Sequence, residues 1–442
     1  MPETARLNIL DELYLHLDRD DEPWSVQLEV EVEGTLDGER LAAAVKAAAA
    51  RHPVARARLA DSRGTDVRYQ WDVADELAEV PLEIVDCTDE EDLEIERRRA
   101  YGAVPPLDGP APFTLTLAHR SGGDSLMLNL HHAAGDGIGA LRLMGSILRA
   151  YAGEDDPMPD VDQVEARDIG KIVSSSLGDR LSRGRALAEH VARFATPPAR
   201  IAEAGGSPDA PPYGFELIEL DAPAAQAALS LRAGGATAND VLLGVLGVAV
   251  RRWNEQHDGD ERRIALMMPV NLRPEEWRFD VLANFASYVT VHLAEDEQHD
   301  LETAIAATAD RTRRIKEDGI AGLIVDLLQI PTALPTGVKQ RLQDLIPLTG
   351  DLVVDTAVLS NLGRLQDVPH LGSDGGAVRS VWFSPPGRMP LGLSVGVATL
   401  GEKMFVTLRY RRALFDETAA AEFGHLYRDL LTGAGVAKQA TG

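Results

Sequence analysis

Cysteine is almost absent. Cys87 is the only one in 442 residues, so neither an intrachain disulfide nor a CxxC metal or redox site is available. Long apolar runs are missing too. No stretch of about 18 uninterrupted apolar residues occurs, and the N-terminal MPETARLNILDELYLHLDRDD has neither the basic nor the apolar region of a secretory signal. The sequence therefore predicts a cytoplasmic protein without an integral membrane segment, with peripheral association the one membrane contact left open. Positive charge is short: Lys and Arg total 44 against 70 for Asp and Glu, a formal net charge of −26. Such a surface repels phosphate backbones and anionic headgroups, which argues against nucleic acid as a partner. Lysine is especially scarce, a bias that genome composition and an acidic surface suited to high salt would both produce. No Walker loop and no dinucleotide fingerprint is visible, so the chain is not expected to activate an acyl group with ATP or to perform redox chemistry.

What is present has the balance of a globular protein, and at roughly 150 residues per domain the length fits two or three domains, two being the first expectation. The first half alternates strand and helix. WSVQLEVEVEG (Trp24 to Gly34) alternates apolar and polar residues as a half-buried strand does, and an Ala-rich amphipathic helix opens at Asp37 and ends at His52-Pro53. Extended runs at Val67 to Trp71 and Leu82 to Val85 precede a helix over Glu90 to Ala100. PFTLTLAHR and DSLMLNLHH, joined by SGGD, read as a hairpin that Gly137 hands over to a helix. From Glu154 to Pro212 the composition shifts to loops and an Arg-rich helix, read as a linker.

A second α/β half follows. It has strands at Phe215 to Leu220, Arg263 to Pro269, Phe285 to Leu293, Leu352 to Leu359, Val378 to Phe383, Leu391 to Thr399 and Met404 to Tyr410. TANDVLLGVLGVAVRRW forms an apolar helix capped by Thr237 or Asn239, with Asn239 the main expectation. The predicted domains are 1–165, a 166–212 linker and 213–442. GDSLMLNLHH and GEKMFVTLRY match in pattern, which suggests two copies of one unit. Arg409 and Tyr410 then stand where the first copy has His131 and His132.

The sharpest feature is HHAAGDG, His131 to Gly137, between a strand and a helix. Histidine has the unperturbed pKa, about 6.5, best placed to accept a proton at neutral pH. Adjacent strand residues point to opposite faces, so His131 and His132 cannot readily share one ion, and no metal site is expected. A satisfied strand-end histidine is the plain alternative.

With this motif, LNILDELYLHLDR, RHPVARARL, TANDVLLG, MMPVNLRPEE, ANFASYVTV, VLSNLGRL and LRYRRALFD, the chain resembles the HHxxxDG acyltransferase superfamily over nearly its whole length. That superfamily includes peptide-synthetase condensation domains, polyketide-associated acyltransferases and wax ester synthase/diacylglycerol acyltransferases, and TANDVLLG and SNLG are most like the last branch. The resemblance implies an α/β (α+β) fold of two chloramphenicol-acetyltransferase-like domains, a pseudo-dimer with a central tunnel, and a place in lipid or secondary-metabolite synthesis.

The resemblance also implies roles. His132 maps to the catalytic base, His131 is positional, and Asp136 pairs structurally with Arg273. Gly137 keeps the tunnel open for a pantetheine arm, with plain turn chemistry as the alternative. Ser360 and Asn361 are candidate oxyanion donors or a strand-terminating turn, and Asn284 is a candidate for facing the cleft. Trp382, Phe383 and Pro385-Pro386-Gly387 depart from the DFGWG element of peptide-synthetase condensation domains, which counts against peptide-bond formation. Coenzyme A carries phosphates, and the Arg-rich segment with Arg183 and Arg185 is the candidate for binding them, or else a solvated helical face.

The expected activity is transfer of an acyl group from a CoA or carrier-protein thioester to an alcohol, giving an ester, with no tightly bound cofactor. The alternatives are an amide-forming, condensation-type reaction with a carrier-protein-bound donor, and a non-catalytic binder of an acylated carrier protein.

Overall fold

The computed structural model describes residues 3–19, 22–172, 197–277, 280–322, 325, 333–343, 355–365, 368–387, 389 and 391–434. Two large sheets form the centres of two lobes. The first has the strand order β12 (Val378–Ser384), β2 (Ser25–Val32), β7 (Ser125–His131), β6 (Phe113–His119) and β5 (Leu82–Asp86). The second has the order β10 (Ala286–Leu293), β9 (Ile264–Asn271), β11 (Ala357–Leu365), β13 (Leu393–Leu400), β14 (Lys403–Arg411) and β8 (Tyr213–Leu220). A small third sheet joins β1 (Glu3–Arg6), β4 (Gln70–Val73) and β3 (Ala57–Leu59). One strand of the chain's second half, β12, thus completes the first lobe's sheet and ties the lobes together.

The principal helices are α1 (Ile9–Leu17), α2 (Gly38–Arg51), α3 (Glu90–Tyr101), α4 (Gly137–Ala152), α5 (Ala222–Ser230), α6 (Ala238–Gln256), α7 (Leu301–Glu317), α8 (Thr336–Gln343) and α9 (Glu417–Thr432). Asp37 caps α2 by accepting the Arg40 N–H at 2.7 Å, and Pro53 stops it because proline lacks the N–H a further turn needs. α2 and α4 pack together over the Val26, Leu28 and Val30 face of β2.

The polar face of β2, expected to meet water, is buried instead. α3 covers it, and Arg97 donates to Glu29 at 2.7 and 2.9 Å while Ser125 donates to the same carboxylate at 2.6 Å. In the second lobe α6 is buried on nearly every side, as its apolar run requires. Its cap is Thr237, in a reciprocal box with Asp240. Asn239, the expected cap, lies inside the first turn and donates to the Met268 sulfur.

The local match between the halves extends to whole four-strand units. β2-β7-β6-β5 and β8-β14-β13-β11 have the same order, and each has two antiparallel pairs followed by one parallel pair. Both hairpins turn on a glycine at positive φ, Gly123 at 110° and Gly401 at 58°, a region that costs other residues a Cβ clash. No helix among the described residues is long and apolar enough to cross a membrane.

Candidate active site

β7 delivers His131 and His132 to the boundary between the lobes, and their rings go opposite ways. The His131 Nδ1 accepts the Ala133 N–H at 3.0 Å, so its proton sits on Nε2, 3.5 Å from the Asp18 carboxylate. The His132 ring instead meets Asn284, with Nδ1 and the amide oxygen 3.2 Å apart. Asn284 donates its NH₂ to the Asp11 carboxylate at 2.8 Å and to the His132 carbonyl at 2.7 Å. That leaves its oxygen only the role of acceptor, so Nδ1 of His132 must carry the proton and Nε2 is a bare lone pair. The Tyr14 ring fixes the imidazole plane from one side at 3.8 Å between centroids. Burial pushes the His132 pKa down to about 4, against the opposing pull of Asp136 and Asn284, so the ring is neutral at pH 7.

Asp136 caps α4 through the Gly139 N–H at 3.0 Å. The same carboxylate receives both Arg273 NH groups at 2.7 and 2.8 Å and the Phe285 N–H at 2.9 Å. Burial alone would raise its pKa, but the adjoining guanidinium and the hydrogen bonds hold it below the usual carboxylate range. Arg273 also donates to the Ala283 carbonyl at 2.7 Å. The expected pair therefore exists, and it fastens the loop after His132 to the second lobe.

A cavity of about 190 Å³ opens beside His132, and its walls include Gly137, Ser360, Tyr288 and Phe383. At Gly137 a Cβ would come within 2.8 Å of both Leu362 and Phe383, so close approach of neighbours, not a special backbone angle, calls for glycine. Ser360 lines the cavity. Asn361 does not, because its side-chain oxygen accepts the Gly363 N–H at 2.8 Å in a local turn.

Asn284 differs from its expected place. It is fully buried and faces His132 and Asp11 rather than the cleft. Arg183 and Arg185 lie outside the described residues, while Arg200 from the same segment donates to the Asp355 carbonyl at 3.3 Å. Among the described residues no cluster of His, Cys, Asp or Glu could hold a metal ion.

The site also contains residues that the sequence reading missed. Asn8 and Asp11 form a capping box at the start of α1, a signal readable as N-x-x-D before an apolar run. The spare oxygens of Asp11 take Asn284 at 2.8 Å and Arg167 at 2.7 Å. Arg167, only 2% exposed, further holds the carbonyls of Ala134 and Leu282 at 3.1 and 2.5 Å. A continuous hydrogen-bonded chain, His132 to Asn284 to Asp11 to Arg167, thus supports the imidazole from behind.

No protein-family model matches the chain. Rv2305, an uncharacterized protein of Mycobacterium tuberculosis strain H37Rv, is 40% identical over 435 residues, which cover 98% of this chain and 100% of Rv2305. The chain belongs to the Rv2305 family. MT2362 of strain CDC 1551 matches with the same identity and coverage. Among solved structures, the first condensation domain of the calcium-dependent antibiotic synthetase, bound to a substrate analogue, aligns with a TM-score of 0.71 at 15% identity over 97% of this chain and 96% of its own. TRI3 trichothecene 15-O-acetyltransferase of Fusarium sporotrichioides aligns at 0.66 and 12% identity over 97% and 94%. The Rv2305-family chain therefore has the two-lobed fold of condensation domains and related acyltransferases.

Proposed function

We propose that the chain is a stand-alone acyltransferase that moves an acyl group from a coenzyme A thioester to an alcohol. The observation that carries this reading is the bare Nε2 of His132, held neutral beside a cavity at the lobe boundary. In the proposed reaction Nε2 takes the hydroxyl proton as the alcohol oxygen forms a bond to the thioester carbonyl carbon. The tetrahedral oxyanion that results needs a fixed donor, a role proposed for the Ser360 hydroxyl on the cavity wall. Collapse re-forms the carbonyl and breaks the carbon–sulfur bond, and the thiolate recovers the proton from the imidazolium. Asn284, backed by Asp11, keeps the imidazole in the tautomer this cycle needs.

An alcohol acceptor is supported by the likeness of TANDVLLG and SNLG to the wax ester synthase branch and by the fold shared with an O-acetyltransferase. The fold shared with a condensation domain favours a second reading, amide formation from a carrier-protein-bound donor. Mass spectrometry of products, after incubation with panels of acyl-CoAs, acyl carrier proteins, alcohols and amines, separates the two. Ester from acyl-CoA in the wild type but not in His132→Ala supports the first reading, and amide formed only from carrier-bound donors replaces it with the second. Donor binding by Arg183 and Arg185 predicts a higher KM for acyl-CoA when both are neutralised, with short pantetheine thioesters unaffected.

A further inference from the structure

A second cavity, of about 280 Å³, lies along α4 between that helix and the strands β2, β11 and β12. It is continuous in its framework with the cavity at His132. Val26 lines the first cavity and Val30 the second, and with Leu28 between them they form one face of β2. Phe383 and Val381 repeat this on β12. On α4 the step from Gly137 to Leu141, Met144 and Leu148 is a single helical stripe, which at 1.5 Å per residue extends roughly 16 Å from the first residue to the last. Along this line the Leu362 and Phe383 side chains converge on Gly137.

We infer that the two cavities are one channel for a long, linear acyl chain, narrowed at Phe383 and Leu362, with the thioester at His132 and the tail along α4. The inference rests on the acyl-transfer reading above. Its walls decide the occupant: Val30, Leu141, Met144, Leu148 and Val381 offer apolar surface that hydrocarbon fills and a polar arm does not. Arg142, Arg149 and Asp156 line the same cavity, and these charges are turned on one another. Arg142 donates to Asp156 at 2.5 Å and to the carbonyls of Pro157 and Asp280 at 3.3 and 3.4 Å, and Asp156 also accepts from Ser146 at 2.7 Å.

The test uses the full chain and the fluorescent fatty acid cis-parinaric acid, whose binding needs no turnover. Leu141→Trp and, from the opposite wall, Val378→Trp both fill the distal cavity, so the result does not depend on one variant folding. Each buried methylene contributes about fourfold in affinity, so loss of room for two of them weakens probe binding about tenfold or more. The ratio of kcat/KM for palmitoyl-CoA to that for acetyl-CoA falls by a similar factor, and Phe383→Ala moves it the other way. Unchanged probe binding in both folded variants overturns the channel. So does displacement of the probe by free coenzyme A as effectively as by palmitoyl-CoA, since a pantetheine arm would then be the occupant. If parinarate binds and the variants abolish it while no thioester is turned over, the channel stands and the acyl-transfer reading fails.

Discussion

The β7 corner of the first lobe and the β14 corner of the second stand on the same four-strand unit and end in opposite chemistry. In the first, His131 pairs with Ser25 and the chain turns to present the neutral ring of His132. In the second, Arg409 pairs with Phe215, and its guanidinium is buried over the Tyr213 ring at 4.0 Å, donating to the Pro23 and Ser25 carbonyls at 3.4 Å each. Both corners lead into a helix capped by an aspartate, Asp136 through Gly139 and Asp416 through Ala419. Asp416 is exposed, whereas Asp136 is buried against Arg273 and Phe285. The cap is what the two units have in common. Both corners also tie the lobes, Asp136 through Arg273 and Arg409 through the Pro23 and Ser25 carbonyls, so the bare imidazole, and with it the proposed chemistry, is what the first corner alone adds.

The strongest way to break this comparison is to exchange the corners' losses. His132→Ala lowers kcat by roughly 10²- to 10⁴-fold in single-turnover thioester assays, while Tyr410→Phe leaves it unchanged. A comparable loss from Tyr410→Phe would put chemistry in the second corner as well.

Next in size is stability. Asp136→Ala removes a cap and orphans a buried guanidinium, a loss of about 3 to 5 kcal/mol in urea unfolding. Asp416→Ala loses a cap alone, about 1 kcal/mol. Equal losses would reduce Asp136 to a cap. Adding Arg273→Ala to Asp136→Ala should cost less than the sum of the single losses, because the charge is already orphaned.

A smaller effect belongs to Asn284. Asn284→Leu frees the imidazole to rotate and change tautomer, and it lowers kcat by at most roughly 10²-fold at unchanged KM. A rise in KM with kcat retained would give Asn284 a substrate contact instead.

The mildest test is acid. His132 and the buried His52 have folded-state pKa values of about 4 and about 3, both lowered first by burial, against 6.5 unfolded. As pH falls below 6.5 the unfolded chain binds protons that the folded chain refuses. Stability is therefore complete above 6.5 and declines toward pH 4, by up to about 1.4 kcal/mol per pH unit for each histidine. Flat melting temperatures across that window would contradict the buried, neutral assignment.

Much of this architecture is legible in the sequence because period-2 and helical patterns survive wherever one face meets a core. The hairpin before Gly137 and the helix ending at His52-Pro53 read in this way, whereas the Asp136–Arg273 contact, between residues 137 apart, is implied by the family resemblance and not by any pattern. The alternation in β2 misled, since it cannot tell water from a second buried layer that supplies Arg97 to Glu29. Asn284 misled for a related reason: an amide at a strand start looks free until Asp11, 273 residues away, claims it. Arg167 was invisible, because its partner Asp11 is 156 residues distant and only the folded chain brings them together. The likeness of the two units extended beyond one aligned stretch because strand order and direction outlast residue identity.

The most direct measurement of the central claim is an NMR titration of ¹⁵N-histidine-labelled protein, with the His132 signals assigned by their loss in His132→Ala. The expected result is a neutral ring at pH 7, protonated on Nδ1 and bare on Nε2, that titrates at about 4. A midpoint at the ordinary 6.5, or a proton resting on Nε2, would contradict it.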